Sequence, residues 1–304
     1  MTSTLLHPAL PADIAKPLER RWTDQEAFAY CTELTKSHYE NFPVGSMLMP
    51  ASIQPAVHSL YAFMRTADDF SDENRAAGDE AERMAYLNTW DDMLAACERG
   101  ETKHPVFVAL RVTLDKYQLP VQWLRDLLTA FKMDVTIRRY KTYDDVLNYC
   151  RYSANPVGRL ILTLWGYRQE ELYTLSDSIC TGLQLANHWQ DVDVDMKKDR
   201  IYLPQDDMKS FGVTEDDLRA AQCTPAFQKL LMHEVGRARR LFDLGKPLPG
   251  RVQGRLRLEL RLTWSGGVTI LDKIEAVHCD VFHHRPTVGK GDWAKLFLKT
   301  VFTR

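Results

Sequence analysis

Apolar residues recur three and four positions apart along most of the chain, and strand-like alternation is scarce. This period admits packed helices and little else. It predicts helices over 23–40, 52–73, 80–99, 104–117, 120–137, 142–165, 168–196, 214–221, 224–243, 251–283 and 290–300. The breaks fall at "NFPVGS", "RAAGDE", "RGETKHP", "YQLP", "YLPQDD" and "GKPLPG", where glycine, proline and short polar residues end helices. None of these is long enough to be a linker, and no repeat or low-complexity run interrupts the pattern. The expected fold is one all-α domain spanning 1–304, with 1–22 an irregular N-terminal segment.

With 45% apolar residues, a chain of 304 has ample material for a large core. A net charge of −2 argues against a nucleic-acid binder. Six scattered cysteines, without a CxxC pair, read as reduced thiols in a cytoplasmic protein. The start, "MTSTLLHPALPADIAKPLERRW", lacks the basic and apolar regions of a signal peptide. No window approaches 18 uninterrupted apolar residues, which speaks against a spanning helix. The final "LFLKTVFTR" is too short for an anchor but leaves room for peripheral membrane contact.

Two carboxylate clusters stand out. In "RTADDFSDE", Asp68 and Asp72 are four apart and share one face of a helix, with Asp69 to one side. Arg65 and Tyr61 extend that stripe toward the N-terminus. In "QLANHWQDVDVD", Gln184, Asn187, Asp191 and Asp195 form a polar line on an otherwise apolar helix. Acidic residues on one helix face are often only solvated surface. Here both clusters follow long apolar runs, where a carboxylate needs a partner. Oxygen ligands without histidine or cysteine suit Mg²⁺ shared with substrate phosphate, and Arg65 and Arg200 supply cations near the ends of the stripes. A third feature lies in "YCRYSANPVGRLIL", where Asn155-Pro156 interrupts a helix-like run, as a kink beside a cavity or as a plain loop. The histidines of "HCDVFHH" read as residues near a helix C-terminus rather than as a zinc site.

"YAFMRTADDFSDE" and "GLQLANHWQDVDVDMKKDRIYLP" resemble the two aspartate-rich motifs of the squalene/phytoene synthase family, the head-to-head branch of the all-α isoprenoid synthases. "HYENFP" and "YCRYSANPVG" resemble its early and central segments, so the likeness runs from about residue 25 to 290. The resemblance implies an isoprenoid synthase helical bundle with a central cavity. It implies metal binding by Asp68, Asp69, Asp72, Asn187, Asp191 and Asp195. His38, Asn41, Arg65, Arg200, Tyr202 and Arg285 would meet the diphosphate, and Tyr61 and Gln184 the reacting head.

Departures narrow the choice. The central segment has Arg151 for a tyrosine and Asn155-Pro156 for Gly-Thr, and the common "NILRD" reads "NHWQD" here, with Gln190 for an arginine. "NFPVGS", "CRYSANPVGR" and "LANHWQDV" resemble the bacterial hydroxysqualene synthases of the hopanoid squalene route. That branch implies Mg²⁺-dependent loss of diphosphate from presqualene diphosphate and capture of the cation by water, without NADPH. Arg151 and Asn155 are the candidates for placing that water. The implied partners are a prenyl diphosphate and neighbouring enzymes of the squalene route. The alternatives are a condensing presqualene diphosphate or phytoene-type synthase, and a non-catalytic relative serving as an assembly factor.

Overall fold

Helix periodicity carries through to the three-dimensional structure, a computed structural model that describes residues 10–37, 49–72 and 79–302, with side chains as far as residue 298. The helices are α1 (Ala12–Ala15), α2 (Asp24–Ser37), α3 (Gln54–Ser71), α4 (Glu80–Glu98), α5 (Pro105–Tyr117), α6 (Val121–Thr136), α7 (Tyr143–Ser153) and α8 (Asn155–Leu164). They continue with α9 (Glu170–Gln190), α10 (Val192–Lys197), α11 (Gln205–Phe211), α12 (Glu215–Arg219), α13 (Pro225–Gly245), α14 (Leu248–Arg251), α15 (Gly254–Ala276) and α16 (Lys290–Phe302). Among the described residues there is no strand, only an isolated parallel bridge between Arg139 and Ile201. No helix there is long and apolar enough to cross a membrane.

The expected boundaries hold where caps are written locally. Thr142 with Asp145, and Thr214 with Asp217, form reciprocal capping boxes at the starts of α7 and α12. Thr224 accepts from the Phe227 N–H at the start of α13, just before Pro225. They shift where tertiary contacts decide. The tract 1–22 holds α1 and a 3₁₀ turn at Lys16–Glu19, and α11 begins at Gln205, inside the expected break "YLPQDD". The tract 168–196 is two helices meeting at Asp191, and 142–165 is two helices meeting at Ala154. The tract 251–283 ends at Ala276, because His278 and Cys279 turn the chain through left-handed backbone at φ 52° and 63°. His278 of "HCDVFHH" lies just past the C-terminus of α15, its N–H donating to the Glu275 carbonyl, while His283 and His284 sit on the irregular segment beyond, where His283 bonds Asp280 at 2.9 Å.

Contacts divide the chain into two compact units, Met1–Thr136 with Thr163–Gly166, and Ile137–Leu162 with Tyr167–Arg304. In the first, Trp90 is fully buried, its centroid 4.6 Å from Phe107, 5.2 Å from His104 and 5.6 Å from Phe70. Its indole N–H donates to the Phe63 carbonyl, tying α4 to α3. In the second, α9 packs on α13 and α15 with close approaches at glycines. A Cβ on Gly182 would stand 3.2 Å from the Phe242 ring, and one on Gly267 only 2.4 Å from it. A Cβ on Gly158 of α8 would meet Ser176 Oγ of α9 at 2.3 Å.

Glu259 is an outlier in this core. It is 7% exposed, and its Oε2 has no hydrogen-bond partner. Burial pushes its carboxyl from 4.5 up to about 7. The folded protein therefore holds this proton more tightly than the unfolded chain does. Below the unfolded value both states are protonated and the residue costs nothing; stability then falls as pH rises through the window, and above the folded value the whole cost is present. That cost is about 3 kcal/mol. Glu259→Gln is expected to raise unfolding free energy by up to this amount at pH 8 and to change little at pH 4.5, read from urea titrations at the two pH values.

Candidate functional site

The first aspartate cluster sits at the end of α3. Leu60, Phe63, Ala67 and Phe70 form its buried face, which turns Tyr61, Arg65, Asp68 and Asp69 away from the core. Arg65 joins both carboxylates: Nη1 donates to Asp68 Oδ2 at 3.2 Å, and Nη2 lies 2.6 Å from Asp69 Oδ1. Asp68 is 53% exposed at its side chain and Asp69 24%. Asp69, to one side of the stripe, shares Arg65 with Asp68.

The spacing predicts that Asp72 continues the helical face of Asp68, and the structure departs from this. The helix stops at Ser71, and Asp72 takes extended backbone at φ −73° and ψ 132°. Two contacts account for the stop. Ser71 Oγ donates back to the Asp68 carbonyl at 2.7 Å, and the Ser71 carbonyl accepts from Arg83 Nη1 at 2.9 Å. Arg83 is fully buried, and its charge meets the negative end of the helix dipole. Nothing in its local sequence, "EAERMAY", marks it out. His38 and Asn41 lie outside the described residues.

The second cluster is built around a break. Asp191, at φ −106° and ψ 15°, ends α9 and opens α10. Its side chain is 11% exposed and bound by both sides of the Arg285 fork, Nε to Oδ1 at 2.5 Å and Nη2 to Oδ2 at 3.1 Å. The pairing raises the Arg285 pKa further above its ordinary value. Asn187 is exposed, and its Oδ1 accepts from Gln190 Nε2 at 3.0 Å. Asp195 is half-buried on α10; its carbonyl accepts from the Arg200 N–H at 2.9 Å and so folds the chain back. That return is fixed from below, where Ile201 N–H donates to the Arg138 carbonyl and Gln205 N–H to the Tyr140 carbonyl, both at 3.0 Å. Asp195 and Arg200 line one narrow crevice together with His188 and Tyr202.

His188 and Tyr202 form the floor of this half. The imidazole is 3% exposed and lies 3.6 Å from the Tyr202 ring, with 15° between planes. Burial draws its pKa down to about 3, so it is neutral at any ordinary pH. Gln184, one turn earlier and half-buried, approaches His188 Nε2 at 3.4 Å.

In the central segment, Ala154 breaks the helix and Asn155-Pro156 opens α8. Asn155 Oδ1 accepts from Thr181 Oγ1 at 2.9 Å, while Arg151 is exposed with its guanidinium over the Tyr152 ring.

Among the described residues, one group of three His, Cys, Asp or Glu side chains brings its ligand atoms within 4.8 Å of one another, and it contains none of the expected metal set: Asp207, His233 and Glu234. Arg237 already bridges both carboxylates there, at 2.5 Å and 2.9 Å. Burial pushes the Glu234 carboxyl up to about 7 against the pull of that guanidinium. Sequence reading misses this cluster, because its members become neighbours only when α11 packs on α13. The expected set fits Mg²⁺ on other grounds. Its donors are oxygen only, and Asp68, Asp72 and Asn187 are exposed while Asp69 and Asp195 are partly so.

All-α architecture with aspartates at two helix ends defines the class, and comparison with known proteins defines the family. The squalene/phytoene synthase profile matches residues 35–292, and the chain belongs to that family. It is an enzyme of that family. Hydroxysqualene synthase of Rhodopseudomonas palustris is 39% identical over 223 residues, 73% of this chain and 74% of that one. Hydroxysqualene synthase of Sinorhizobium fredii is 36% identical over 74% of this chain and 76% of its own. The crystal structure of squalene synthase HpnC from Alicyclobacillus acidocaldarius superposes with TM-score 0.77 at 39% identity, covering 90% of this chain and 98% of that one.

Proposed function

We propose that this enzyme converts presqualene diphosphate and water into hydroxysqualene and diphosphate, using Mg²⁺ and no NADPH. The C–O bond to diphosphate breaks with its electron pair on the leaving group. The carbocation rearranges, a water oxygen bonds to it, and that water loses one proton. The observation that carries the reading is the pairing of motif carboxylates with arginines: Arg65 on Asp68 and Asp69, and Arg285 on Asp191. The same side chains that suit a divalent ion are accompanied by the guanidinium groups that suit a diphosphate. Identity of 36–39% to hydroxysqualene synthases supports the substrate.

Asp68, Asp69, Asp72, Asn187, Asp191 and Asp195 would hold the metal. When bound, Mg²⁺ supplies Lewis-acid neutralisation of the departing diphosphate. Arg65, Arg200, Arg285 and Tyr202 bind the diphosphate, as His38 and Asn41 do in this reading. Tyr61 and Gln184 flank the reacting head. Apolar and aromatic side chains keep bulk water from the cation. In this reading the chain acts as one domain over 1–304. It works in the cytoplasm, with peripheral contact to the membrane into which its product partitions.

A condensing activity has its own support: phytoene synthase of Arthrospira platensis is 29% identical over 90% of this chain. Purified protein offered presqualene diphosphate or farnesyl diphosphate with Mg²⁺, with and without NADPH, separates the two. Hydroxysqualene from presqualene diphosphate, unchanged by NADPH, is the expected product. Presqualene diphosphate or a phytoene-type olefin made from the smaller substrate, with no alcohol, reassigns the enzyme.

Asp72→Ala and Asp191→Ala are expected to keep the helical circular-dichroism spectrum and to lose turnover by about a hundredfold or more, the scale of removing a preorganised electrostatic group. Near wild-type rates in both at saturating Mg²⁺ would exclude the metal role.

Asn155 tests the water capture. Thr181 uses its Oδ1, which turns the amide N–H₂ the other way and leaves it to orient a water. Asn155→Leu is expected to lower the alcohol fraction in favour of olefins formed by proton loss, while diphosphate release falls less. Arg151→Leu should act in the same direction and more weakly, as its exposed position implies. Gas chromatography of the organic extract beside a diphosphate assay reads both. Equal loss of alcohol and diphosphate, with no new olefin, would reduce Asn155 to a helix-joining role.

A further inference from the structure

We propose that His188 is a positioning residue for the diphosphate end of the substrate, setting the places of Tyr202 and Gln184 at once. The proposal rests on the reading above, in which those two residues meet the substrate.

Three observations carry it. The first is the stack: His188 and Tyr202 lie face to face at 3.6 Å, whereas Tyr140 is 5.4 Å from the Tyr202 ring. Tyr149 touches both rings only at an angle, at 5.8 Å from His188 and 5.6 Å from Tyr202. The plane of Tyr202 is therefore set chiefly by the imidazole.

The second is the contact with Gln184. An amide nitrogen can only donate, so His188 Nε2 accepts at 3.4 Å, and the ring proton sits on Nδ1. One neutral ring thus fixes a tyrosine by its face and a glutamine by its edge. An aliphatic side chain could fill the volume but could do neither.

The third is location. His188 lies between Asn187 and Asp191 on the motif, yet points into the core, where it is 3% exposed. It helps line the crevice that Asp195 and Arg200 share with Tyr202. Side chains behind ligand groups of this kind typically alter affinity by about ten- to a hundredfold when lost.

The test uses the full chain and inorganic pyrophosphate as probe. Its affinity is measured by calorimetry in Mg²⁺ buffer for wild type, His188→Ile, His188→Phe and Tyr202→Phe, beside thermal midpoints. His188→Ile installs the aliphatic residue of the family's common "NILRD" pattern, and His188→Phe keeps the stack while losing the acceptor. The expected result is pyrophosphate binding weakened about tenfold in His188→Ile and less in His188→Phe, with midpoints close to wild type. Wild-type affinity in folded His188→Ile overturns the proposal. So does a loss of affinity that follows the midpoint across both His188 variants, which would make the residue purely structural. Tyr202→Phe separates the two levels. If it weakens binding while the His188 variants do not, only the positioning role fails. If it leaves binding unchanged, the assignment of Tyr202 to the diphosphate fails with it.

Discussion

Phe242 of α13 occupies space that a side chain on either of two neighbouring helices would need. Gly182 of α9 and Gly267 of α15 both approach its ring within distances that exclude a Cβ without rearrangement. Trp264 of α15 donates its indole N–H to the Phe242 carbonyl at 2.8 Å, which ties α15 to α13 at the same residue. Gly245, three residues further along, repeats the device against Ile179, where a Cβ would stand at 2.4 Å. These contacts hold α9 at backbone distance from its neighbours, and close packing gives such an arrangement little tolerance. Because α9 is fixed in rotation, its polar line of Gln184, Asn187 and Asp191 is fixed too. The geometry of the second motif is thus a consequence of glycines that carry no chemistry.

Helix class, most helix tracts and both aspartate clusters are legible in the sequence, since each rests on residues near one another along the chain. The end of α3 is not. Periodicity continues through Asp72, but the helix stops at Ser71, where a buried guanidinium from twelve residues further along takes the last carbonyl. The break at Asp191 is hidden for the same reason: "NHWQDVDVD" keeps its helical spacing across a residue whose carboxylate is claimed by Arg285, 94 residues away. At Ala154 the sequence does show a fault, because proline disrupts the hydrogen-bond ladder by its own covalent structure. Local chemistry announces a break; a distant partner does not.

The stack of His188 on Tyr202 lies beyond pattern reading as well. A histidine among apolar residues reads as a core residue, and this one is buried. Its contact with Tyr202 depends on the return of the chain after α10, held by backbone hydrogen bonds to Arg138 and Tyr140. Asp207, Glu234 and Arg237 illustrate the converse. They bring carboxylates together as tightly as a metal site would, yet the fold neutralises them internally with a guanidinium. Proximity of carboxylates alone therefore does not distinguish a binding site from an ion network.

Exposure and the identity of the counter-ion make that distinction. Arg237 is 19% exposed and bonds carboxylates that are 19% and 0% exposed, so separating them would leave charge stranded in a poor solvent. Arg65 is 25% exposed and its partner Asp68 53%, while Arg285 is 48% exposed although its partner Asp191 is only 11% exposed. Pairs near water gain little net energy from their union, because solvent screens the attraction and hydrates the separated ions. Such pairs can exchange partners at small cost. In the proposed reaction a carboxylate that gave up its arginine would be free to hold a divalent ion, and the released guanidinium would be free to meet phosphate oxygens. The motif pairs thus provide a resting state of the charge arrangement that the substrate completes.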